Sequence, residues 1–97
     1  MSNEEFVQLH AVVDGHVQGV GFRFYVKREA EELNLTGWVR NKYDGRVEVL
    51  AEGPRSDLEF FLSRLQRGSG PAYVSEVKVD WNPASEVYKR FNIAPSE

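Results

Sequence analysis

The chain has 97 residues, 41% of them apolar and 12% aromatic, enough for one small core and with no linker that would separate a second. Twelve basic against fifteen acidic side chains leave a net charge of −3, which argues against binding along a nucleic-acid backbone, where clustered positive charge is needed. The lack of cysteine excludes disulfides, thiolate ligands and a cysteine nucleophile, and two isolated histidines argue against a structural zinc site, so any chemistry comes from oxygen, amide, guanidinium or backbone groups.

The start, Met1-Ser2-Asn3-Glu4-Glu5, is polar and acidic and lacks the basic flank and apolar stretch of a secretory signal. No apolar run approaches membrane-spanning length. The expectation is a cytoplasmic protein with no membrane partner, folded as a single domain over residues 1–97 with its core between about 7 and 93. In Val7 to Val13 the residues Val7, Leu9, Ala11 and Val13 share one parity, the pattern of a half-buried strand. His10 falls on the polar parity and reads as a surface residue.

Gly15-His16-Val17-Gln18-Gly19-Val20-Gly21-Phe22-Arg23 follows, with three glycines in seven residues at a strand-to-helix junction. Such a backbone turns sharply and points several N–H groups into one concavity, and the helix N-terminus adds unpaired donors and partial positive charge. The spacing is neither the dinucleotide fingerprint nor the Walker pattern, so a nucleotide is not indicated. A glycine-rich junction by itself is more often a tight connection than a ligand site. Arg23 shifts that balance: an arginine in the first turn of a helix opposes the macrodipole, and a bound anion between the N–H groups and the guanidinium resolves the conflict. Its planar fork suits two phosphate oxygens at once.

Phe22, Val26, Ala30 and Leu33 recur at helical spacing, and Glu29, Glu31 and Glu32 read as a solvated helix face. Asn34 stands where a left-handed C-terminal cap is needed, because asparagine tolerates positive φ. Thr36 to Lys42 and Arg46 to Gly53 flank Tyr43-Asp44-Gly45, a hairpin signal. Ser56 and Glu59 have capping-box spacing at the head of a second helix, with Leu58, Phe61, Leu62 and Leu65 as its apolar stripe and Gly68 and Gly70 at its end. Tyr73, Ser75, Val77, Val79 and Trp81 alternate with Val74, Glu76, Lys78 and Asp80 in a fourth strand. A short last strand is expected from Val87 to Ile93, with Phe91 and Ile93 inward. The order is βαββαβ plus a terminal strand: an α+β sandwich of ferredoxin-like plan, two helices on one face of an antiparallel sheet.

Asn41 shares parity with Gly37 and Val39. The β-α-β connection makes the first and second strands parallel, so Asn41 ends at the same sheet edge as the glycine-rich loop. Service to the neighbouring turn and service to a site are equally open for it on composition alone.

Gly15-x-Val17-Gln18-Gly19-Val20-Gly21-Phe22-Arg23 and Gly37-Trp38-Val39-x-Asn41, followed by Asp44-Gly45 and Gly53-Pro54, together resemble the acylphosphatase family, collinearly from about Val7 to Ile93. The resemblance implies cofactor-free and metal-free hydrolysis of a small-molecule acyl phosphate to carboxylate and inorganic phosphate, and nothing in the sequence requires more than a monomer. It assigns phosphate binding to Arg23 and orientation of the attacking water to Asn41. On this reading the N–H groups of His16, Val17, Gln18, Gly19, Val20 and Gly21 hold the phosphoryl oxygens with Arg23. Two departures are visible: Asn34 where the family often has glycine, and a final strand closing as Phe91-Asn92-Ile93-Ala94, without the usual basic and aromatic finish.

Two rivals follow from the same fold. An RNA-binding sheet would need exposed aromatics among basic residues on the central strands. The residues expected on the open face are His10, Val12, Arg46, Glu48, Leu50 and Glu52 instead, while Trp38, Trp81 and Tyr73 read as core or sheet-face packing. An idle relative used for protein contacts would have no need of both Arg23 and Asn41.

Overall fold

Alternation and helical periodicity produce the expected elements in the computed structural model, which describes residues 4–97; residues 1–3 of the polar start lie outside them. The chain forms β1 (Phe6–His16), α1 (Phe22–Glu32), β2 (Thr36–Asn41), β3 (Val47–Pro54), α2 (Arg55–Arg67), β4 (Tyr73–Pro83) and β5 (Phe91–Ile93). The sheet order is β4-β1-β3-β2-β5. β1 pairs antiparallel with both β3 and β4, β3 pairs antiparallel with β2, and β5 joins the outer edge of β2 in parallel. β1 and β2 therefore run in the same direction with β3 between them, and their C-terminal ends share one edge of the sheet.

One face carries the core. Leu9, Ala11 and Val13 of β1, Val39 of β2 and Val47, Val49 and Ala51 of β3 form a buried cluster with Phe22, Val26 and Ala30 of α1 and Leu58, Phe61 and Leu65 of α2. Asn34 takes the left-handed conformation at φ 57°. The N–H of Asn34 donates to the Glu31 carbonyl at 3.0 Å and that of Leu35 to the Ala30 carbonyl at 2.9 Å, the paired bonds of a Schellman cap.

Four local expectations are corrected. The register between β1 and β4 shifts beside Asp14 and Gly15, leaving Ser75 as the extra residue of a bulge. The parity of β4 flips there: Val74 packs against the core while Tyr73 is 68% exposed, so Tyr73 is not a packing residue. Ser56 and Glu59 form no capping box, because Pro54 is already the N-cap residue and Ser56 sits inside the first turn. The Glu4 carboxylate takes the capping role, accepting from the Ser56 N–H at 2.6 Å and the Ser56 hydroxyl at 2.7 Å. Glu29 is buried rather than solvated, and it accepts from Arg64 of α2 at 2.6 Å. The last strand begins at Phe91 and not at Val87, which is 68% exposed.

The connection into β5 is held by Glu52, a carboxylate only 1% exposed at the open-face end of β3. It accepts from the Gln8 amide at 2.7 Å, the Ser85 N–H at 2.8 Å, the Ser85 hydroxyl at 2.9 Å and the Glu86 N–H at 2.9 Å. Burial pushes this carboxyl up, but the hydrogen bonds outweigh it and hold its pKa below the usual glutamate value. A carboxyl depressed in the folded state stabilises above its unfolded pKa, and that contribution is lost as pH falls through the folded value. The urea midpoint of the wild type is therefore expected to fall more steeply than that of Glu52→Gln as pH drops from about 6 to about 3. At neutral pH, Glu52→Gln should cost on the order of 1–3 kcal/mol in the same measurement, because its amide hydrogens face the donors left behind.

Candidate active site

The glycine-rich junction is built by three devices. Gly15, still within β1, passes so close to β4 that a Cβ there would run into the Tyr73 carbonyl, and Val17, 1% exposed, pins the turn to the core. Gly19 and Gly21 then adopt φ of 74° and 77°, with open space where their side chains would be. His16 pairs with Tyr73 as the last residue of β1 and Phe22 opens α1, so the loop proper is residues 17–21, and the two ends of the sequence motif belong to the strand and the helix.

Gly21 is the N-cap residue of α1, in the left-handed region, and supplies no side-chain cap. The first helical bond runs from the Tyr25 N–H to the Gly21 carbonyl at 3.1 Å. The N–H groups of Phe22, Arg23 and Phe24 thus have no partner in the helix, and no acidic residue lies in its first turn. Arg23 is half-buried there, and no carboxylate among the described residues pairs with it. Unpaired donors and an unpaired guanidinium at one helix start form an arrangement suited to an anion.

The ladder registers settle the direction of Asn41. Asn41 pairs with Val47, and Val47 with Val13, so the three form a row across β2, β3 and β1. Cross-strand partners share a face, and Val13 and Val47 are fully buried beneath the helices. Asn41 accordingly faces the helix side at the strand end, where its Oδ1 is buried with no hydrogen-bond partner among the described residues. An orphaned buried acceptor costs on the order of 1–3 kcal/mol. Turn service is excluded as its role, since the turn closes through other atoms: Lys42 N–H to Arg46 O at 2.8 Å, Gly45 N–H to Lys42 O at 3.1 Å and Arg46 N–H to the Asp44 carboxylate at 3.1 Å. Hydrogen bonds from the Arg46 guanidinium and backbone hold the Asp44 carboxyl down to about 2, so the turn stays charged and braced at any ordinary pH.

Two contributions escaped the sequence reading. The Gln18 side-chain amide donates to Lys42 O at 2.7 Å and Arg46 O at 2.8 Å, so both of its hydrogens are committed to the hairpin. These bonds place the loop directly against the strand end of Asn41. The segment after β5 also flanks that end: the Glu97 N–H donates to Asn41 O at 3.0 Å, the Tyr43 N–H to Glu97 O at 2.9 Å, and the Glu97 carboxylate meets Arg40 at 2.9 Å. The only sequence signal for Gln18 is a long amide in a loop otherwise made of small or apolar residues.

The open face is occupied by charge pairs. Glu48 joins His10 at 2.6 Å and Arg40 at 2.8 Å, so His10 is a paired, half-buried residue rather than a plain surface one. Burial pushes the Glu48 carboxyl up, but hydrogen bonds from His10 and Arg40 prevail and hold it below its usual range. Trp38 lies on this face beneath the Arg40 guanidinium, 4.5 Å from its ring centre, so its face is not free to stack a base. A concavity of about 310 Å³ lined by Asn34, Thr36, Arg90 and Phe91 lies at the start of β2, the far end from Asn41. Among the described residues no three His, Asp or Glu side chains are grouped as ligands for a metal ion, and no helix is long and apolar enough to cross a membrane.

Comparison with known proteins agrees with this architecture. The family model described as acylphosphatase matches residues 9–93. An acylphosphatase of Bacillus licheniformis is 47% identical over 88 residues, covering 91% of this chain and 98% of the relative. The crystal structure of acylphosphatase from Bacillus subtilis superposes with a TM-score of 0.88 at 44% identity, covering 91% of this chain and 98% of that one. The structure of an acylphosphatase from Coxiella burnetii gives 0.83 at 38% identity, covering 97% and 100%.

Proposed function

The chain belongs to the acylphosphatase family and hydrolyses acyl phosphates to carboxylate and inorganic phosphate, and on that premise we propose that the 17–21 loop, the start of α1, Arg23 and Asn41 are its active site. The backbone N–H groups of His16, at the end of β1, and of the loop from Val17 to Gly21, with the Arg23 guanidinium, hold the phosphoryl oxygens. Asn41 Oδ1 accepts one hydrogen of a water and turns the water's lone pair toward phosphorus, in line with the leaving group. The water oxygen forms the new P–O bond as the P–O bond to the acyl group breaks, and the carboxylate departs with the electron pair. The water's proton passes to a phosphoryl oxygen of the substrate. A carboxylate leaves readily, so the reaction needs alignment and charge stabilisation rather than a strong acid or base.

The observation that carries this reading is the buried Oδ1 of Asn41, without a partner among the described residues, at the same sheet edge as an uncapped helix start whose arginine pairs with no described carboxylate. The proposal extends to a single-domain, monomeric enzyme of the cytoplasm, supported by its size and its charge-rich, cysteine-free composition. Its test is hydrolysis of benzoyl phosphate by the purified chain in the presence of a chelator. Turnover unaffected by the chelator is expected, and a folded protein that leaves benzoyl phosphate intact would refute it.

A further inference from the structure

We propose that Gln18 is a positioning residue, a strut that holds the phosphate cradle at a set distance from the strand end carrying Asn41. The inference rests on the active-site reading above. It starts from a division in the molecule: the cradle belongs to the β1–α1 connection, whereas Asn41 belongs to the β2–β3 hairpin. In-line attack requires water on one body and phosphorus on the other to keep a separation good to a fraction of an ångström.

Each body is braced within itself. The hairpin is closed by its ladder, by Asp44 on Arg46, and by Glu97 along the outer edge of β2. The loop is pinned by buried Val17 and by the backbone of Gly19 and Gly21. Between residues 17–21 and the hairpin, the hydrogen bonds found among the described residues are the two from Gln18 Nε2, at 2.7 Å to Lys42 O and 2.8 Å to Arg46 O. Lys42 directly follows Asn41, and Arg46 directly precedes Val47, its ladder partner.

The chemistry of the joint explains why the residue is glutamine. Each carbonyl already accepts one backbone hydrogen bond, Lys42 O from Gly45 and Arg46 O from Lys42, and has one lone pair left. A primary amide supplies two hydrogens from one nitrogen without adding charge, so it fills both vacancies at once. Asparagine has the same group but is shorter by one carbon–carbon bond, about 1.5 Å. Because both carbonyls keep their backbone donors when Gln18 is replaced, the hairpin stays closed and the variants fold.

Gln18→Met preserves length and flexibility and deletes the donors. It is expected to lower kcat for benzoyl phosphate about tenfold, as loss of alignment does. KM and the inhibition constant for inorganic phosphate should stay within about twofold, since the groups that hold phosphate are untouched. Gln18→Glu opposes a carboxylate to two carbonyl oxygens at neutral pH, and on protonation regains one donor. Its kcat relative to wild type should therefore rise as pH falls from about 7 toward about 4, while that of Gln18→Met stays flat. Wild-type kcat in Gln18→Met overturns the strut, and so does a phosphate inhibition constant that weakens in step with kcat, which would put Gln18 in the cradle itself. An inactive wild type would instead defeat the active-site reading. The strut is then judged by NMR, where Gln18→Met should shift the Asn41 side-chain amide, and an unmoved Asn41 overturns it.

Discussion

Arg23→Ala is expected to lower kcat/KM for benzoyl phosphate by about 10³-fold or more, the scale on which an arginine contributes to phosphoryl transfer. The residue stands in the first turn of α1, where the helix already presents unpaired N–H groups and no acid. In the free enzyme a cation at that position is unfavourable by about 0.3–1 kcal/mol, so its removal should leave the melting temperature in phosphate-free buffer unchanged or slightly higher. Inorganic phosphate, by contrast, should raise the melting temperature of the wild type and fail to raise that of Arg23→Ala, because a ligand stabilises only the form that binds it. Arg23→Lys keeps the charge and loses the fork that meets two oxygens, and it should remain impaired by about 10²-fold or more. Turnover near wild type in the lysine variant would count against bidentate binding, and undiminished activity in the alanine variant would remove Arg23 from the site.

Asn41→Ala should produce the complementary signature. Its kcat is expected to drop by about 10²–10³-fold, the scale of losing one placed polar group at a reacting centre. Affinity for inorganic phosphate should persist, since phosphate is held by the loop and Arg23 and the alanine removes only the group proposed to hold water. Stability should hold or rise by up to about 1–3 kcal/mol, because a buried acceptor without a partner disappears. Equal losses of kcat and phosphate affinity would mean that Asn41 contacts the phosphate rather than the water. A clear loss of stability would mean that its amide is structural after all.

How far these assignments could be read without coordinates differs from residue to residue. The glycine spacing and the placement of Arg23 are visible as a local conflict, a cation at the positive end of a helix dipole, and conflicts of that kind survive in the sequence because neighbours alone create them. Asn34 was legible for the same reason: a left-handed cap is a property of one residue and its flanks, and φ at that position is 57°. The direction of Asn41 was only conditional, since parity says which residues share a face but not which face the helices cover.

The misreadings share one cause. Ser56 and Glu59 have the spacing of a capping box, yet Glu4, 52 positions away from Ser56, occupies the donors first. Glu29 has the sequence context of a solvated acid, yet α2 brings a half-buried Arg64 over it and takes the carboxylate out of solvent. Ser75 continues an unbroken alternation, but pairing with the end of β1 inserts it as a bulge and turns Tyr73 outward. Gln18 is one polar residue in a loop until the hairpin offers it two carbonyls.

By itself, then, the amino-acid order determined what short-range physics can: the order of helices and strands, the tight glycine junction, the helix caps made within one turn, and the chemical inventory restricted to an arginine, an amide and backbone N–H groups. The tertiary structure alone decided that Asn41 faces the helices with its oxygen unsatisfied, that the loop leans on the hairpin through Gln18, and which acids are buried. The division follows sequence separation. Dihedral preference and hydrophobic period act over a few residues, whereas the partner of a buried polar group is supplied by whichever distant segment the sheet order brings beside it.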